Sequence, residues 1–354
     1  MREHLHPIAL ELLQQLISIQ SFSREEDKTA NLLMGFFKFH GMEAHQKGNN
    51  VWAINKHYDP SKPTILFNSH HDTVKPNAGY TRDPFTPSQE DGKLYGLGSN
   101  DAGGPLVSLI GAFIRSYEKK DLKYNLVLAA TAEEEISGVN GIENIWSALP
   151  TIDCALIGEP TQMKAAIAER GLMVIDCVAK GKAGHAAREE GVNAIYESLT
   201  DINWFKSFQF PLVSPTLGPV KMSVTIINAG QAHNQVPDAC TFTVDVRATN
   251  SYSLEEILSE IKKNVKSTVT PRSLRLRPSS TPLSHALVTV AKKMNIELFG
   301  SPTTSDWSLM PVPGLKIGPG DSARSHSADE FIYLDEIEKG IEVYCKIIDS
   351  LEPN

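Results

Sequence analysis

The sequence predicts an α/β fold, with a mostly parallel sheet flanked by helices and a smaller α+β domain inserted into it. The first observation is that apolar strand-like runs alternate with helical patterns up to about residue 165, which is typical of βαβ units. The second is a change near residue 170 to alternating strands of antiparallel character. The third is the return of the first pattern after residue 275. We therefore expect one domain from residues 1–170 and 275–354, and an inserted domain over residues 171–274.

The predicted elements follow in chain order. The N-terminal stretch "MREHLHPIALELLQQLISIQS" has apolar residues at helical spacing and lacks a small-residue cleavage site, so it predicts a first helix rather than an export signal. The first domain continues with "PTILFNSHHD", "GGPLVSLIGAFIRSYEKK", "KYNLVLAATAEEE", "GIENIWSALP" and "DCALIGEP". The insert contains strands in "GLMVIDCVAKGKAGHAA", "VKMSVTIINAG" and "ACTFTVDVRATN", with helices in "VNAIYESLTDINWF" and "LEEILSEIKKNVKS". The chain closes with helix "LSHALVTVAKKMN", strand "GLKIGPG" and helix "DEIEKGIEVYCKIID".

Size and composition exclude several classes of protein. A chain of 354 residues exceeds the length at which a single hydrophobic core usually stops growing, which supports two domains. With 42 acidic and 34 basic residues the net charge is −8, which argues against a nucleic-acid partner. No apolar run reaches the roughly 18 residues of a membrane span, so no membrane partner is expected.

The cysteines indicate a reducing compartment. Four are present, far apart and without a CxxC pair, and they lie mostly in apolar stretches: Cys154, Cys177, Cys240 and Cys345. A thiol in such a stretch packs as a small hydrophobe. Because disulfides are rare in the cytosol, this usage favours a cytoplasmic location.

Polar clusters follow four of the predicted strands directly. These clusters contain His70 with Asp72, Glu134 with Glu135, Glu159, and His326 after a short loop. In an open α/β sheet the carboxyl ends of parallel strands lie along one edge, where ligands bind, so these side chains are expected to meet. Imidazoles and carboxylates together are a ligand set that Zn²⁺ accepts. One or two divalent cations would also offset the repulsion within the glutamate triplet that follows "NLVLAATA".

Taken singly, each motif has a simpler structural interpretation. A lone histidine at a strand end is more often structural than a ligand, and a lone acidic triplet is usually a solvated loop. Asp101 lies in a glycine-rich stretch just before a predicted helix, where it would either cap the helix or bind metal, and its position alone leaves both open. The joint pattern at the four strand ends is what favours a metal site.

Spacing within the motifs predicts a division of roles. Residues two apart on an extended chain point the same way, so Asp72 is expected to support the ring of His70, while His71 points away. Adjacent residues face opposite directions. One of Glu134 and Glu135 is therefore expected to bind metal and the other to act on a bound water as general base.

The motifs occur in a recognisable order: "SHHDTVKP", "GLGSNDAGGP", "TAEEEISGVNG", "GEPT", "GKAGHAA", "NQVPDACTFTVDVR", "TTSDW" and "SHSADE". This order resembles the dinuclear-zinc amidohydrolase and exopeptidase family of acetylornithine deacetylase and succinyl-diaminopimelate desuccinylase, and the resemblance covers nearly the whole chain. It implies that His70 and Glu159 bind one metal ion, Glu135 and His326 the other, and that Asp101 bridges them. The ions would be zinc, with cobalt as an alternative.

The resemblance also implies roles outside the ligand set. Asp72 would orient His70, and Glu134 would take a proton from the attacking water and deliver it to the leaving amine. The insert would be a lid and dimerisation domain, so a homodimer is expected. Its motifs imply that His185 reaches into the partner subunit's active site to steady the oxyanion, and that Asn234 and Arg247 hold the substrate.

Some positions depart from the family pattern. Leu97 stands where the family commonly has an arginine, and Gly103-Gly104-Pro105 replaces its usual lysine-glycine-glycine. "SPTTSDWSLM" is a looser match to a threonine-aspartate loop, and Trp307 in it would narrow the acyl pocket. None of these departures removes a ligand.

The function expected from the resemblance is hydrolysis of a small N-acyl amino acid, such as N-acetylornithine in arginine biosynthesis. N-succinyl substrates, such as N-succinylornithine or succinyl-diaminopimelate, are the alternative, because motif spacing does not separate the two acyl groups. A non-catalytic dimeric metal-binding relative is the alternative from another class. A serine hydrolase is disfavoured because no GxSxG motif occurs.

Overall fold

The computed structural model describes residues 5–188 and 190–352. Over these residues the chain divides into two compact units. The first unit comprises the chain up to Ile167, Ser280–Phe299 and the chain from Ser305 onward, and the second comprises Ala168–Ser279 and Gly300–Thr304. The segment expected as an insert, residues 171–274, lies within the second unit.

The helices of the described chain are amphipathic and bury their apolar residues. The predicted first helix is confirmed, with Leu12, Leu13 and Leu16 among its buried residues. The helices are α1 (Leu5–Ile17), α2 (Asp27–Phe39), α3 (Gly104–Ser116), α4 (Ile142–Trp146), α5 (Ala194–Ser207), α6 (Leu254–Asn264), α7 (Ala286–Lys293) and α8 (Leu334–Ser350). Within the described residues, none of them combines the length and apolar character needed to cross a membrane.

Most of the strands are short, and they are numbered in chain order. The first eight are β1 (Ala44–Lys47), β2 (Asn50–Ile54), β3 (Thr64–His70), β4 (Ser88–Glu90), β5 (Lys93–Tyr95), β6 (Asn125–Thr131), β7 (Cys154–Ile157) and β8 (Ala165–Glu169). The next six are β9 (Gly171–Lys180), β10 (Gly184–His185), β11 (Lys221–Ala229), β12 (Gln235–Val236), β13 (Ala239–Ala248) and β14 (Thr268–Pro271). The last four are β15 (Ser279–Ser280), β16 (Leu298–Ser301), β17 (Gly314–Lys316) and β18 (Phe331–Tyr333).

The large sheet has a parallel centre. Its order is β1-β2-β6-β3-β7-β17-β8-β15, with β16 also paired to β8. The neighbours β6, β3, β7 and β17 run parallel to one another, whereas β2 joins β6 and β8 joins β17 in antiparallel fashion. The predicted α/β fold with a mostly parallel central sheet is thus confirmed. Because the four central strands are parallel, their carboxyl ends share one edge.

Both faces of the central strands are covered. Ile65 and Phe67 of β3 belong to a core that includes residues of α1, α3 and α8, while Leu66 between them belongs to a second core with Ile142 and Trp307. A strand buried on both faces reads as a continuous apolar run, which explains "TILF" and "NLVLAA". Every residue of β3 and β6 is buried.

The second unit is built on an antiparallel sheet of order β11-β13-β9-β14. Burial alternates along β9, as it does when one face of a sheet is covered and the other is not. The core under the covered face includes Phe205 of α5 and Ile257 of α6. The predicted antiparallel character of this segment is confirmed.

The described cysteines carry free, buried thiols, as expected from the apolar stretches that contain them.

Candidate metal centre

The strand ends of the first unit bring acids and imidazoles together. Donor atoms of His70, Asp101 and Glu159 lie within 4.8 Å of one another, and so do those of Asp101, Glu135 and His326. All five residues expected as metal ligands are therefore found in two overlapping groups that share Asp101. Glu134 is a member of neither group.

The ring of His70 is held so that one nitrogen faces the cluster. Its Nδ1 lies 2.9 Å from the main-chain oxygen of Asp72 and 3.4 Å from Asp72 Oδ1. Donation of the Nδ1 proton to these oxygens leaves the lone pair of Nε2 free for a metal. Nε2 lies 3.3 Å from Asp101 Oδ1 and 4.0 Å from Glu159 Oε1. Asp72 thus contacts His70 as expected, although its main-chain oxygen is closer than its carboxylate.

The carboxylate of Asp72 has a second contact that the sequence did not suggest. It accepts hydrogen bonds from the main-chain N–H groups of Glu134 (3.0 Å) and Glu135 (3.2 Å), and from the hydroxyl of Ser23 (2.7 Å). Asp72 therefore contacts the ring of His70, chiefly through its main-chain oxygen, and holds the loop of the two glutamates through its side chain.

The two adjacent glutamates meet different histidines. Glu135 Oε2 lies 3.0 Å from Nε2 of His326, whereas Glu134 Oε2 lies 3.8 Å from Nε2 of His70. His71 points away from the cluster, as predicted. Its Nδ1 lies 2.9 Å from Thr29 Oγ1 and its Nε2 lies 2.8 Å from the main-chain oxygen of Asn49.

The capping interpretation of Asp101 is wrong. The N-cap residue of α3 is Gly103, which has no side chain to cap the helix, and the Asp101 carboxylate instead faces His70. The preceding turn depends on glycine at residue 98, where φ is +75° and a Cβ would lie 2.6 Å from Thr73 Cγ2. This turn sends Asp101 to the cluster rather than to the helix end.

Burial and neighbouring charges together shift the pKa values of the cluster. Burial raises the pKa of Glu134 well above its ordinary value, and the charges of Glu159 and Asp306 raise it further, against the effect of His70. Burial likewise raises the pKa of Glu159 to about 8. The hydrogen bond to Glu135 raises the pKa of His326 to about 9.

This donor set fits a divalent cation. Two imidazoles and several carboxylates are ligands that Zn²⁺ and similar ions accept, and a cation would offset the mutual repulsion of the acids and lower their pKa values. The His70 ring, with Nδ1 engaged and Nε2 directed at the acids, has the orientation usual for a metal-bound histidine.

Two residues of the "TTSDW" segment have roles that the sequence did not reveal. Asp306 is buried and accepts hydrogen bonds from Thr131 Oγ1 (2.6 Å) and Asn68 Nδ2 (3.4 Å), and burial raises its pKa to about 6. Trp307 is 0% exposed and donates from Nε1 to the main-chain oxygen of Val312 at 3.1 Å. The expectation that Trp307 narrows an acyl pocket is therefore wrong, because its ring belongs to the core.

Comparison with known proteins identifies the family. The family model described as "Peptidase family M20/M25/M40" matches residues 66–350, which is most of the chain. The chain belongs to this family.

Three individual relatives share 27% sequence identity or less with this chain. An acetylornithine deacetylase of Proteus mirabilis (strain HI4320) is 27% identical, over 97% of this chain and 97% of its own length. Among solved structures, aminopeptidase PepT from Bacillus cereus ATCC 10987 matches with a TM-score of 0.77 at 20% identity, over 99% of this chain and 98% of its own. The YXEP protein of Bacillus subtilis, described as a dinuclear metal-binding peptidase of the M20 family, matches with a TM-score of 0.75 at 14% identity, over 98% of each chain. At these identities the structural matches bear on the fold alone.

The remaining expected site residues of this M20-family chain lie in the second unit. His185 is exposed on β10, opposite Gln235 of β12, and the Ala186 N–H donates to the main-chain oxygen of Asn234 at 3.0 Å. The Ala187 N–H donates to Nδ1 of His185 at 3.1 Å. Because Nδ1 is an acceptor, the neutral ring carries its proton on Nε2.

Arg247 on β13 already has a carboxylate partner. Its Nε lies 2.8 Å from Asp245 Oδ1 and its Nη2 lies 3.0 Å from Asp245 Oδ2, so one edge of the guanidinium is occupied. A substrate carboxylate would have to use the Nη1 side or displace Asp245, which the sequence did not indicate.

Proposed function

We propose that the chain hydrolyses the amide bond of an N-acyl amino acid, releasing a carboxylate and the free amino acid. The observation that carries this proposal is the pair of donor groups sharing Asp101, with the partly buried carboxylate of Glu134 beside them and outside both. A two-ion centre with a spare carboxylate is the arrangement that metal-assisted hydrolysis requires.

The ligand roles follow from the two groups. His70 and Glu159 would hold one divalent ion, Glu135 and His326 the other, and Asp101 would contribute to both. Such ions, zinc or cobalt in this proposal, supply Lewis acidity that polarises an amide carbonyl and favours ionisation of water.

Glu134 is the proposed general base. It accepts a proton from the attacking water as the new C–O bond forms, and returns that proton to the nitrogen as the C–N bond breaks. Its carboxylate lies 3.8 Å from Nε2 of His70 and belongs to neither donor group, which leaves it available for this proton transfer. Asp72 acts as a positioning residue, since it holds the Glu134 N–H and the His70 ring.

His185 is the proposed oxyanion donor, supplied by the partner subunit. Its protonated Nε2 is suited to donate to a developing negative charge, an interaction worth about 3 kcal/mol for one well-placed donor. Asn234, next to His185, and Arg247 remain the proposed substrate-binding residues.

The role of His185 can be tested by mixing subunits. Separately, His185→Ala and Glu134→Gln homodimers should be nearly inactive. A random mixture should recover about a quarter of wild-type activity, because each mixed dimer has one complete site. His233→Ala, an exposed histidine of the same unit, is the control and should leave activity unchanged. No recovery on mixing would rule out action across the dimer.

The proposed homodimer uses the second unit. Strand β11 lies at the edge of its sheet and leaves main-chain hydrogen-bonding groups available to another strand. Its Ile226 and Ile227 are 51% and 50% exposed. Exposure of apolar side chains to water is unfavourable, and pairing with a second copy would bury them.

For the substrate we propose N-acetylornithine, which would place the enzyme in arginine biosynthesis. The support is that curated relatives carrying the name acetylornithine deacetylase match over nearly their full length. N-succinyl amino acids are the alternative. The four unpaired thiols support a cytoplasmic location for this reaction.

The deciding experiment is a hydrolysis screen with zinc- and cobalt-loaded protein. N-acetyl and N-succinyl derivatives of ornithine, citrulline, lysine and diaminopimelate are offered at equal concentration, and free amine is measured. We expect the highest kcat/KM for N-acetylornithine. A higher value for any succinyl compound would move the assignment to a desuccinylase. Two bound ions per chain without hydrolysis of any substrate would favour the non-catalytic relative.

A further inference from the structure

Glu330, in the C-terminal part of the chain, lies next to the turn of residues 96–101 that carries Asp101. Strands β5 and β18 are antiparallel, with Tyr95 opposite Phe331. The turn therefore starts directly after one strand, and Glu330 stands directly before the other. The Gly96 N–H donates to the main-chain oxygen of Glu330 at 3.0 Å, which extends the pairing by one step.

The carboxylate of Glu330 accepts three hydrogen bonds from the main chain of this turn. Its Oε2 accepts a hydrogen bond from the Gly98 N–H at 2.9 Å, and its Oε1 accepts from the N–H groups of Asn100 (2.8 Å) and Asp101 (2.9 Å). Glu330 is 2% exposed. Since hydrogen bonds to a carboxylate are stronger than those between neutral groups, three of them on one side chain restrict the main chain of Asp101 closely.

A second side chain ties the same turn to the same segment. Asn100 donates from Nδ2 to the main-chain oxygen of Asp321 at 3.0 Å, and its Oδ1 accepts from the Asp321 N–H at 2.9 Å. His326 lies between these two anchor points in the sequence. The turn that carries Asp101 and the loop that carries His326 are thus connected on both sides of His326.

We propose that Glu330 is a positioning residue that sets the metal affinity of the site by holding the main chain of Asp101. The inference rests on the proposed function, because it requires Asp101 to be the ligand that both ions share. A small displacement of the Asp101 main chain would move a donor out of both groups at once. Partners that orient metal ligands typically change metal affinity by about 10- to 100-fold when replaced.

The competing explanation is that Glu330 only stabilises the fold, and the second unit supplies a matched control. Asp201 of α5 is also 2% exposed, and accepts hydrogen bonds from the N–H groups of Lys266 (3.1 Å) and Ser267 (2.8 Å). It performs the same local task as Glu330, but the turn that it holds carries none of the proposed ligands.

The test compares Glu330→Gln with Asp201→Asn. Each is nearly isosteric and replaces one acceptor oxygen by an amide that cannot accept a hydrogen bond. Zinc dissociation constants are measured on metal-free protein by competition with a chromophoric chelator, and the visible spectrum of the cobalt-loaded protein reports ligand geometry. Thermal unfolding of the metal-free variants measures the loss of stability.

We expect Glu330→Gln to weaken zinc binding by about 10- to 100-fold and to alter the cobalt spectrum, with Asp201→Asn unchanged in both. Both variants are expected to unfold at a lower temperature than the wild type. Glu330→Asp, which keeps the charge but withdraws the carboxylate, should also weaken zinc binding, and it provides the measurement if the glutamine variant does not fold.

Two outcomes would overturn the inference, and they differ in what else they affect. Wild-type zinc affinity in a folded Glu330 variant would overturn this inference alone. Failure of the wild-type chain to bind zinc or cobalt would overturn the proposed function and this inference together.

Discussion

Three acid–arginine pairs of the second unit contrast with the acidic cluster of the first unit. In the second unit, acids are joined to arginines: Asp176 to Arg272, Asp245 to Arg247, and Glu255 to Arg277, with closest contacts of 2.8, 2.8 and 2.6 Å. In the first unit, the acids of the cluster lie close to one another and to two imidazoles, those of His70 and His326.

The pKa values of two arginine-paired acids and of two glutamates of the cluster move in opposite directions. The hydrogen bond and charge of Arg272 lower the pKa of Asp176, and those of Arg277 lower that of Glu255. Burial and neighbouring carboxylates raise the pKa values of Glu134 and Glu159. An acid paired with an arginine of the same chain contributes to structure. A group of neighbouring carboxylates that repel one another instead indicates a site for a cation or a proton.

The largest effect should come from removing the acid that belongs to neither donor group. We expect Glu134→Gln to lower kcat by about a thousandfold, within the usual range for a lost general base, with the metal content unchanged. Turnover and metal content by mass spectrometry are the measurements. Glu133→Gln is the matched control, since the Glu133 carboxylate accepts hydrogen bonds from Asn140 and should affect turnover only slightly. Equal loss of activity in both variants would contradict the separate role of Glu134.

Metal removal should affect one unit and spare the other. At free zinc about a thousand times Kd, each ion would stabilise the folded first unit by about 4 kcal/mol, and a chelator would remove that stabilisation. Hydrogen exchange measured by mass spectrometry should then increase in peptides from β3 and β6, and stay unchanged in peptides from β9 and β13. A uniform increase would show that the paired acids of the second unit depend on metal too.

A smaller effect concerns His71, which is buried away from the acids. Burial lowers its pKa to about 4 from an ordinary value of 6.5, so between these values the unfolded chain binds a proton that the folded chain does not. Stability is therefore complete above about pH 6.5 and decreases as the pH falls to 4, by up to ~3 kcal/mol. Denaturant unfolding at several pH values should show a shallower dependence for His71→Gln than for the exposed control His45→Gln. Equal slopes would show that His71 does not titrate in this window.

The smallest effect is expected for an exposed arginine pair. Arg272→Ala should lower the melting temperature by about 2 °C or less and leave turnover unchanged, because the pair with Asp176 is open to water and screened. Differential scanning calorimetry at low and high salt measures it. A larger decrease in the melting temperature would mean that this arginine pair stabilises the second unit more than is expected for a pair screened by solvent.

Much of the fold follows from local patterns. Fully apolar runs separated by amphipathic helices indicate a parallel sheet, because such strands are buried on both faces. The strand-end rule then brings together His70, Glu135 and Glu159, since parallel strands finish at the same edge. The alternating burial of β9 was likewise visible in "GLMVIDCVAK".

Other features were decided by tertiary structure alone. Asp72 meets the main chain of Glu134 and Glu135, and Glu330 meets the turn of residues 98–101, across separations of 62 to 232 positions. Such contacts depend on strand register, such as Tyr95 opposite Phe331, and register has no local signature in a single sequence.

The sequence by itself therefore determined which residues are candidates for the chemistry and which edge of the sheet the strand-end residues occupy. Side-chain type and hydrophobic period are local properties, and each can be read from a short segment. Tertiary structure decided what holds those residues in place, that Trp307 is core, and that Arg247 already has a partner. These outcomes depend on which distant segments pack together, and packing is a property of the whole chain.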